Sequence, residues 1–126
     1  MASPGFDFII TFDVIHDLTR PLEVLTLIYQ ALRPGGLYVM VEPKAGNSLE
    51  ENLQNPTAGL MYSISTMSCM TTCLSGGGPG YGTLMGPAKA EELCRKAGFT
   101  SFKRSNVQNL TNTFFEVRKD GTSSKL

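Results

Sequence analysis

The sequence predicts an α/β fold whose elements follow the order β-α-β-α-α-β-β. Two short runs of almost continuously apolar residues are typical of strands buried on both faces of a parallel sheet. Apolar residues at helical spacing separate and follow these runs, and two strand-like runs joined by a short link close the chain. With 126 residues, the chain has room for one domain with one core.

The first half of the chain predicts a strand, a helix and a second strand. The run "FDFIITF", Phe6 to Phe12, is the first strand, and "LYVMVEP", Leu37 to Pro43, is the second. Between them Pro21 suits the first turn of a helix, and "RPGG" ends that helix. The apolar stripe of the helix consists of Leu22, Leu25, Ile28, Tyr29 and Leu32. A strand, a helix and a strand at this spacing form a right-handed crossover between parallel strands.

The segment from Leu49 to Leu74 is rich in β-branched and small residues, which makes a strand tempting. Its apolar spacing favours a helix instead, because one helical stripe places residues at steps of three and four. That stripe consists of Leu60, Ile64, Met67, Thr71 and Leu74. We therefore expect a helix here.

The last third of the chain predicts a helix and a hairpin. The helix begins at Pro87, ends at Gly98 and buries Ala90, Leu93, Cys94 and Ala97. The runs "TSFKRSNVQ" and "TFFEVRK", linked through residues 109–112, predict an antiparallel pair of strands. We expect one domain over residues 1–119 and a disordered tail over residues 120–126.

The glycine-rich stretch "LSGGGPGYGTLMGP", Leu74 to Pro87, raises the question of a nucleotide-binding loop. Such a loop leaves a buried strand and enters a helix at once, so that its backbone N–H groups and the helix dipole meet the ligand together. Here the preceding segment is predicted to be helical, and the Gly-x-Gly-x-x-Gly spacing does not occur. We expect a flexible lid or a structural turn, and this argues against a nicotinamide-binding protein.

The composition of the chain limits the kinds of molecule that it is expected to bind. Eleven basic residues balance eleven acidic ones, so we expect no nucleic-acid partner. The apolar run at the N-terminus lacks a basic flank and is interrupted by Asp7 and Asp13, so we expect no signal peptide, no membrane span and a cytoplasmic location.

Three cysteines and one histidine form no recognisable zinc pattern. We expect Cys69, Cys73 and Cys94 to be reduced, packed thiols and no metal to be bound.

The stretch "FDFIITFDVIHDL…PLEVLTLIYQALRPGGLYVMVEP" resembles the second half of the class I S-adenosylmethionine (SAM)-dependent methyltransferases. Those enzymes have a strand that begins with Phe-Asp and is followed by a histidine, then a helix that ends "LRPGG", then a strand that ends in Glu. The order resembles their fourth strand, its helix and their fifth strand, and the closing hairpin resembles the antiparallel end of their sheet. The resemblance implies a partial Rossmann-like methyltransferase sheet that starts at the fourth strand.

The middle of the chain is similar to a bacterial and animal subgroup of these proteins. That subgroup often has "HCM" where this chain has Ser68-Cys69-Met70. The resemblance implies an acceptor pocket lined by Tyr62, Met67, Ser68 and Met70. A Met-rich helical stripe is also typical of a core, so both interpretations stay open.

The resemblance also implies cofactor-binding and catalytic residues. Phe12, Asp13 and Val14 lie where the family's fourth strand ends and would touch the methionine part of SAM, although Phe12 and Val14 also fit a core and Asp13 a turn cap. The run "VIHDL" is similar to the "LHDW" of plant-type small-molecule O-methyltransferases, in which the histidine is the general base. His16 would then take a proton from the acceptor and Asp17 would orient the imidazole; the alternative is a loop histidine bonded to backbone. Glu42 either faces the pocket or ends its strand.

Two functional hypotheses follow. The family's glycine loop and its ribose-binding acidic residue have no counterpart in this sequence. The first hypothesis is a SAM-dependent methyltransferase-like protein with a small-molecule acceptor, incomplete and weakly active or inactive alone. The second is a non-catalytic, truncated module that self-associates, or pairs with a full-length relative or another partner, through the exposed edge of the "FDFIITF" strand.

Overall fold

The computed structural model describes residues 5–121 and contains a four-stranded sheet. Its strands are β1 (Phe6–Phe12), β2 (Leu32–Pro43), β3 (Ser101–Arg104) and β4 (Asn112–Arg118), in the spatial order β1-β2-β4-β3. β1 and β2 are parallel, and β4 runs antiparallel to both β2 and β3. The predicted parallel first pair and antiparallel closing pair are therefore confirmed.

Five helices within the described residues connect and cover these strands. They are α1 (Pro21–Ala31), α2 (Leu49–Asn52), α3 (Ala58–Ile64), α4 (Met70–Ser75) and α5 (Pro87–Ala97). A 3₁₀ turn, Ile15–Asp17, follows β1, and a π-helical turn, Ser65–Cys69, joins α3 to α4 in one continuous helical segment. None of the helices within residues 5–121 has the length and apolar character needed to cross a membrane.

The core lies on one face of the sheet, under α1 and α5. Tyr38 and Met40 of β2 and Phe115 and Val117 of β4 are buried there. The ring of Phe99, just after α5, stacks on Tyr38 with the ring centroids 6.0 Å apart. The predicted buried stripe of α5 is confirmed, because Ala90, Leu93, Cys94 and Ala97 all belong to this core.

The other face of β1 is uncovered, and β1 is also an edge strand of the sheet. Alternate residues of a strand point to the same face, and on β1 the exposed set is Phe6 (61%), Phe8 (52%), Ile10 (39%) and Phe12 (57%). Ile9, on the opposite face, packs against the core. The expected apolar, unpaired edge is therefore present among the described residues.

Two predicted boundaries were wrong. Leu32 was assigned to the helix, but it begins β2, where it pairs with Phe6 and is buried. Pro34 explains the early end of α1, because a proline lacks an N–H and disfavours helical backbone in the residue before it. The strand predicted over residues 100–108 ends at Arg104. Beyond it the Asn109 side chain accepts from the N–H groups of Thr111 and Asn112, a turn that competes with strand pairing.

The middle segment is helical as predicted from Ala58 onward, but a turn over residues 53–57 separates α2 from it, so the predicted single helix is wrong. The predicted buried stripe is also wrong. Leu60, Ile64, Met67 and Leu74 are 40–74% exposed, and Thr71 is exposed too. The buried face carries the small residues Ala58, Ser65, Cys69 and Cys73. Small side chains are needed because the glycine-rich segment packs close: a Cβ added at Gly82 would lie 2.5 Å from Ser65 Oγ, and one added at Gly78 would lie 2.6 Å from Cys73 Sγ.

The first residue of the predicted tail, Asp120, is hydrogen-bonded to the rest of the domain. The carbonyl of Asp120 accepts a hydrogen bond from the Gly35 N–H at 3.1 Å, and its carboxylate accepts one from Thr100. Asp120 is therefore attached to the domain. Residues 122–126 of the predicted tail lie outside the described residues.

Candidate functional site

The candidate site forms where the two parallel strands end. His16 and Asp17 lie in the 3₁₀ turn after β1, and Glu42 lies near the carboxyl end of β2. Parallel strands bring their carboxyl ends to one edge of a sheet, which is the edge where open α/β sheets bind ligands. The topology therefore brings the two sequence-predicted catalytic residues beside Glu42.

His16 is held by a buried carboxylate. Its side chain is 3% exposed, and its Nδ1 lies 2.5 Å from Oε2 of Glu42, which is itself 4% exposed. The other oxygen of Glu42, Oε1, accepts a hydrogen bond from the Ile15 N–H at 2.9 Å. Glu42 thus fixes both the ring of His16 and the backbone of the turn that carries it.

The pKa of His16 is raised above its ordinary value. Burial alone lowers it, but the hydrogen bond and charge of Glu42, with the charges of Asp17 and Asp13, outweigh burial. The surroundings thus favour the imidazolium form. Glu42 therefore stabilises the protonated ring and holds the turn that carries it.

Asp17 and Cys69 lie on the other side of the His16 ring. Asp17 Oδ1 is 3.2 Å from His16 Nε2, yet this oxygen is buried and has no hydrogen-bond partner. The sulfur of Cys69, in the π-helical turn, completes a group in which one donor atom from each of His16, Asp17 and Cys69 lies within 4.8 Å of the others. The Thr83 hydroxyl donates to that sulfur at 2.9 Å. Burial, opposed by Thr83 and reinforced by Asp17, raises the pKa of the Cys69 thiol.

The predicted cofactor-binding residues lie together at the end of β1. Asp13 has φ 52°, the one positive φ among the non-glycine residues of 5–121. Its N–H donates to the Val41 carbonyl at 2.8 Å, and its carboxylate accepts from the Asn112 amide at 2.6 Å. Phe12 and Val14 on either side are exposed. The left-handed backbone at Asp13 turns the chain sharply out of the sheet and into the 3₁₀ turn.

The predicted acceptor-pocket residues do not converge on one cavity. Tyr62 and Met67 line a shallow depression on the helical segment, and Ser68 and Met70 are not among the residues that line it. The Tyr62 hydroxyl accepts from the Asn52 amide at 3.0 Å, Met67 is 74% exposed, and Met70 is half-buried beside Gly82. The alternative that the Met-rich stripe forms core is therefore wrong for Met67.

The glycine-rich segment follows a helix, not a strand. It leaves α4 at Ser75 and reaches α5 at Pro87, and it has positive φ at Gly77, Gly80, Gly82 and Gly86. The N–H of Gly80 donates to Cys73 Sγ at 3.3 Å, so the segment packs on the helix that precedes it. This placement agrees with the expectation of a turn and excludes the strand-loop-helix arrangement of a nucleotide cradle at these glycines.

The sequence left Glu42 open between facing the pocket and ending its strand, and it did not predict Cys69 or Thr83 as members of the site. A signal for Glu42 existed: a carboxylate at the end of a strand parallel to the one before His16 must lie near it. No comparable signal existed for Cys69 or Thr83, because their position depends on how the helical segment and the glycine-rich segment pack on the 3₁₀ turn.

No protein-family model and no curated protein matches the sequence. The structure, however, is similar to many solved structures. An O-methyltransferase family protein from Burkholderia thailandensis superposes with a TM-score of 0.64 at 15% identity, and human N-acetylserotonin methyltransferase in complex with SAM with a TM-score of 0.63 at 22% identity. This chain has a class I methyltransferase-like fold.

The methyltransferase-like fold here corresponds to part of the solved chains. The two superpositions cover 95% of this chain but 32% and 31% of the other chains. A SAM-dependent methyltransferase from Thermotoga maritima superposes with a TM-score of 0.62 at 15% identity, covering 95% of this chain and 59% of the other. The chain therefore spans about a third of the first two methyltransferases, and its mixed sheet confirms the predicted partial Rossmann-like architecture.

Proposed function

We propose that this chain supplies the methionine-side and acceptor-side part of a SAM-dependent methyltransferase site for a small molecule, and that it has little methyl-transfer activity alone. The supporting observation is the placement of His16 and Glu42 at the carboxyl ends of two parallel strands in a methyltransferase-like sheet. In this proposal Phe12, Asp13 and Val14 meet the methionine part of SAM.

The proposed chemistry assigns His16 to the acceptor. Methyl transfer to a hydroxyl or amine releases a proton, and an imidazole can accept it when it is neutral. Glu42 holds Nδ1, which leaves Nε2 beside Asp17 as the atom that would face the acceptor. Because His16 is 3% exposed, its Nε2 has little access to an acceptor in the chain alone. The proposal therefore includes low activity.

Chemical-shift mapping tests the cofactor half of this proposal. We expect SAM at millimolar concentration to shift the backbone amide resonances of Asp13 and Val14, and free methionine to shift the same resonances. Adenosine should have a smaller effect, because no nucleoside cradle occurs among residues 5–121. A matched experiment on His16→Gln should leave the SAM-induced shifts in place, since His16 is assigned to the acceptor.

Two outcomes would contradict the proposal. If millimolar SAM shifts no resonance in residues 12–14, the assignment of the methionine contact is wrong. If calorimetry instead finds saturable binding of SAM at micromolar concentration, the chain holds a complete cofactor site and the claim of low activity alone is wrong. A tritiated-methyl transfer assay with small phenols and amines then measures the activity directly.

A second candidate function is a non-catalytic module that associates through β1. The observation that favours it is the apolar face of an edge strand, with Phe6, Phe8 and Phe12 all more than half exposed. Unpaired edge strands with apolar side chains invite pairing with another chain. Absence of SAM binding together with concentration-dependent association would favour this candidate over the first.

A further inference from the structure

The donor atoms of His16, Asp17 and Cys69 form a group that the fold assembles from two separate parts of the chain. His16 Nε2 and Asp17 Oδ1 come from the 3₁₀ turn after β1, and Cys69 Sγ comes from the π-helical turn between α3 and α4. Imidazole nitrogen, carboxylate oxygen and thiolate sulfur are the three donor types that zinc binds in proteins. π-helical turns often occur where a helix positions a functional side chain.

The spacing of the donors is close to that of a tetrahedral ion. Zinc bonds of about 2.0–2.3 Å in tetrahedral geometry place two donors about 3.3–3.8 Å apart. His16 Nε2 and Asp17 Oδ1 are already 3.2 Å apart, and the three donor atoms lie within 4.8 Å of one another. A pair of donors at the 4.8 Å limit would have to approach by about 1 Å to reach that spacing.

Supporting hydrogen bonds surround two of the donors. Metal-binding histidines usually donate their other ring N–H to a carboxylate, which fixes the ring and raises its basicity. Glu42 occupies that position here, 2.5 Å from Nδ1, and is itself fixed by the Ile15 N–H. The Thr83 hydroxyl holds Cys69 Sγ in the same way.

The buried oxygen Asp17 Oδ1, which has no hydrogen-bond partner, lies beside the other two donor atoms. Asp17 Oδ1 is shielded from solvent and makes no hydrogen bond, although its neighbours do. Its charged neighbour is His16 Nε2 at 3.2 Å, and a cation bound to both atoms would satisfy a buried carboxylate oxygen that lacks a hydrogen bond. The rest of the Asp17 side chain is 44% exposed, which gives an ion a route to the group.

From this geometry we propose that His16 Nε2, Asp17 Oδ1 and Cys69 Sγ bind one zinc ion, with a fourth position open to water or an oxygen ligand. Zinc sites with three protein ligands and one open position are the form that binds exchangeable ligands. The inference does not depend on the proposed function. Only one consequence does: zinc on Nε2 would occupy the lone pair that a base needs, so zinc would suppress proton acceptance by His16.

Cobalt substitution tests the site without SAM or an acceptor. Co²⁺ added to the reduced full chain should give the near-ultraviolet charge-transfer band of a thiolate–cobalt bond and the visible bands of a four-coordinate ion. The titration should saturate at one ion per chain, and added Zn²⁺ should abolish the bands by displacement. Cys69→Ser should lose the charge-transfer band, and His16→Gln should weaken cobalt binding at least tenfold.

Cys73→Ser is the matched control. Cys73 lies one helical turn after Cys69 and is also buried, but its sulfur donates to the Leu18 carbonyl and is not in the donor group. This variant should keep the band of the unaltered chain, and far-ultraviolet circular dichroism should verify that each variant is folded. The inference is overturned if the unaltered chain gives no thiolate–cobalt band, if the band survives Cys69→Ser, or if folded Cys73→Ser loses it.

Discussion

The most constrained side chain of the molecule is His16, which lies between Glu42 and Asp17. Its pairing with Glu42 stabilises the folded chain most while the ring is protonated, because an imidazolium adds charge attraction to the hydrogen bond that a neutral ring also donates. The pKa of His16 is raised above the ordinary value of 6.5. A group whose pKa is higher in the folded state binds its proton more tightly there, so protonation favours folding.

The free energy of unfolding should therefore depend on pH in a defined direction. With a chelator present, the contribution of His16 should be complete below about pH 6.5 and should be lost as the pH rises through the pKa of the folded state. Since His16 is the single histidine, it dominates this pH range. Urea unfolding at a series of pH values measures the slope.

His16→Gln is the control for this slope, because glutamine can still donate a hydrogen bond to Glu42 but does not titrate. The variant should show a flatter dependence over the same pH range. If the unaltered chain is equally stable on both sides of neutral pH, the imidazolium–carboxylate pair does not form in solution.

A helix or strand could be predicted from the sequence where the residues that determine its ends and its buried face lie within the element itself. The α5 helix was predicted with its ends and its buried face, because Pro87, Gly98 and the stripe around Leu93 are signals within the helix itself. The helical segment was predicted with the wrong face, because its large apolar residues point outward and the small residues pack inward. Which face is buried depends on the partner, and the glycine-rich segment admits only small residues.

The residues of the candidate site also differ in whether the sequence could predict them. His16 and Asp17 follow a strand and were found by pattern, whereas Cys69 and Thr83 reach them only through packing between segments far apart in sequence. Likewise Leu32 could not be assigned from apolar spacing, since a leucine at a helix end fits both a helix stripe and the start of a strand. Its strand pairing with Phe6 decides the assignment.

The close approach between the glycine-rich segment and α4 predicts that a side chain added at Gly78 destabilises the fold. A Cβ at Gly78 would lie 2.6 Å from Cys73 Sγ and 2.7 Å from the backbone Cα of Thr19. A side chain can move aside, but a backbone atom cannot do so cheaply. We expect Gly78→Ala to lower the free energy of unfolding by about 1–3 kcal/mol, the usual cost of overpacking.

Gly59→Ala is the matched control, because a Cβ at Gly59 in α3 meets nothing within 4 Å. Alanine there should raise the free energy of unfolding by about 0.5–1 kcal/mol through its higher helix propensity. Urea unfolding measures both variants. Equal stability of Gly78→Ala and the unaltered chain would mean that the segment does not pack on α4 as described.

At the scale of the whole molecule, the sheet has helices on one face and an apolar edge strand that is open on the other. The uncovered surface is defined by Phe6, Phe8, Ile10 and Phe12 of β1. The chain carries equal numbers of acidic and basic residues, so little net repulsion keeps two copies apart. Association through β1 would extend the sheet and place the exposed side chains of two copies side by side, which removes part of this surface from water.

A charge placed on the β1 surface should prevent that association. We expect the average mass of the unaltered chain, measured by light scattering after size-exclusion chromatography, to rise with concentration. Phe8→Lys should stay monomeric over the same range, because lysine on an edge strand opposes pairing and Phe8, 52% exposed, contributes little to the core.

Leu27→Lys separates edge pairing from general stickiness. Leu27 lies on α1, away from β1, and is 62% exposed, so its replacement removes a comparable apolar side chain and adds the same charge. This variant should associate as the unaltered chain does. If both lysine variants abolish association equally, apolar surface in general drives association. If the unaltered chain is a monodisperse monomer at every concentration, the open edge of β1 has no role in self-association.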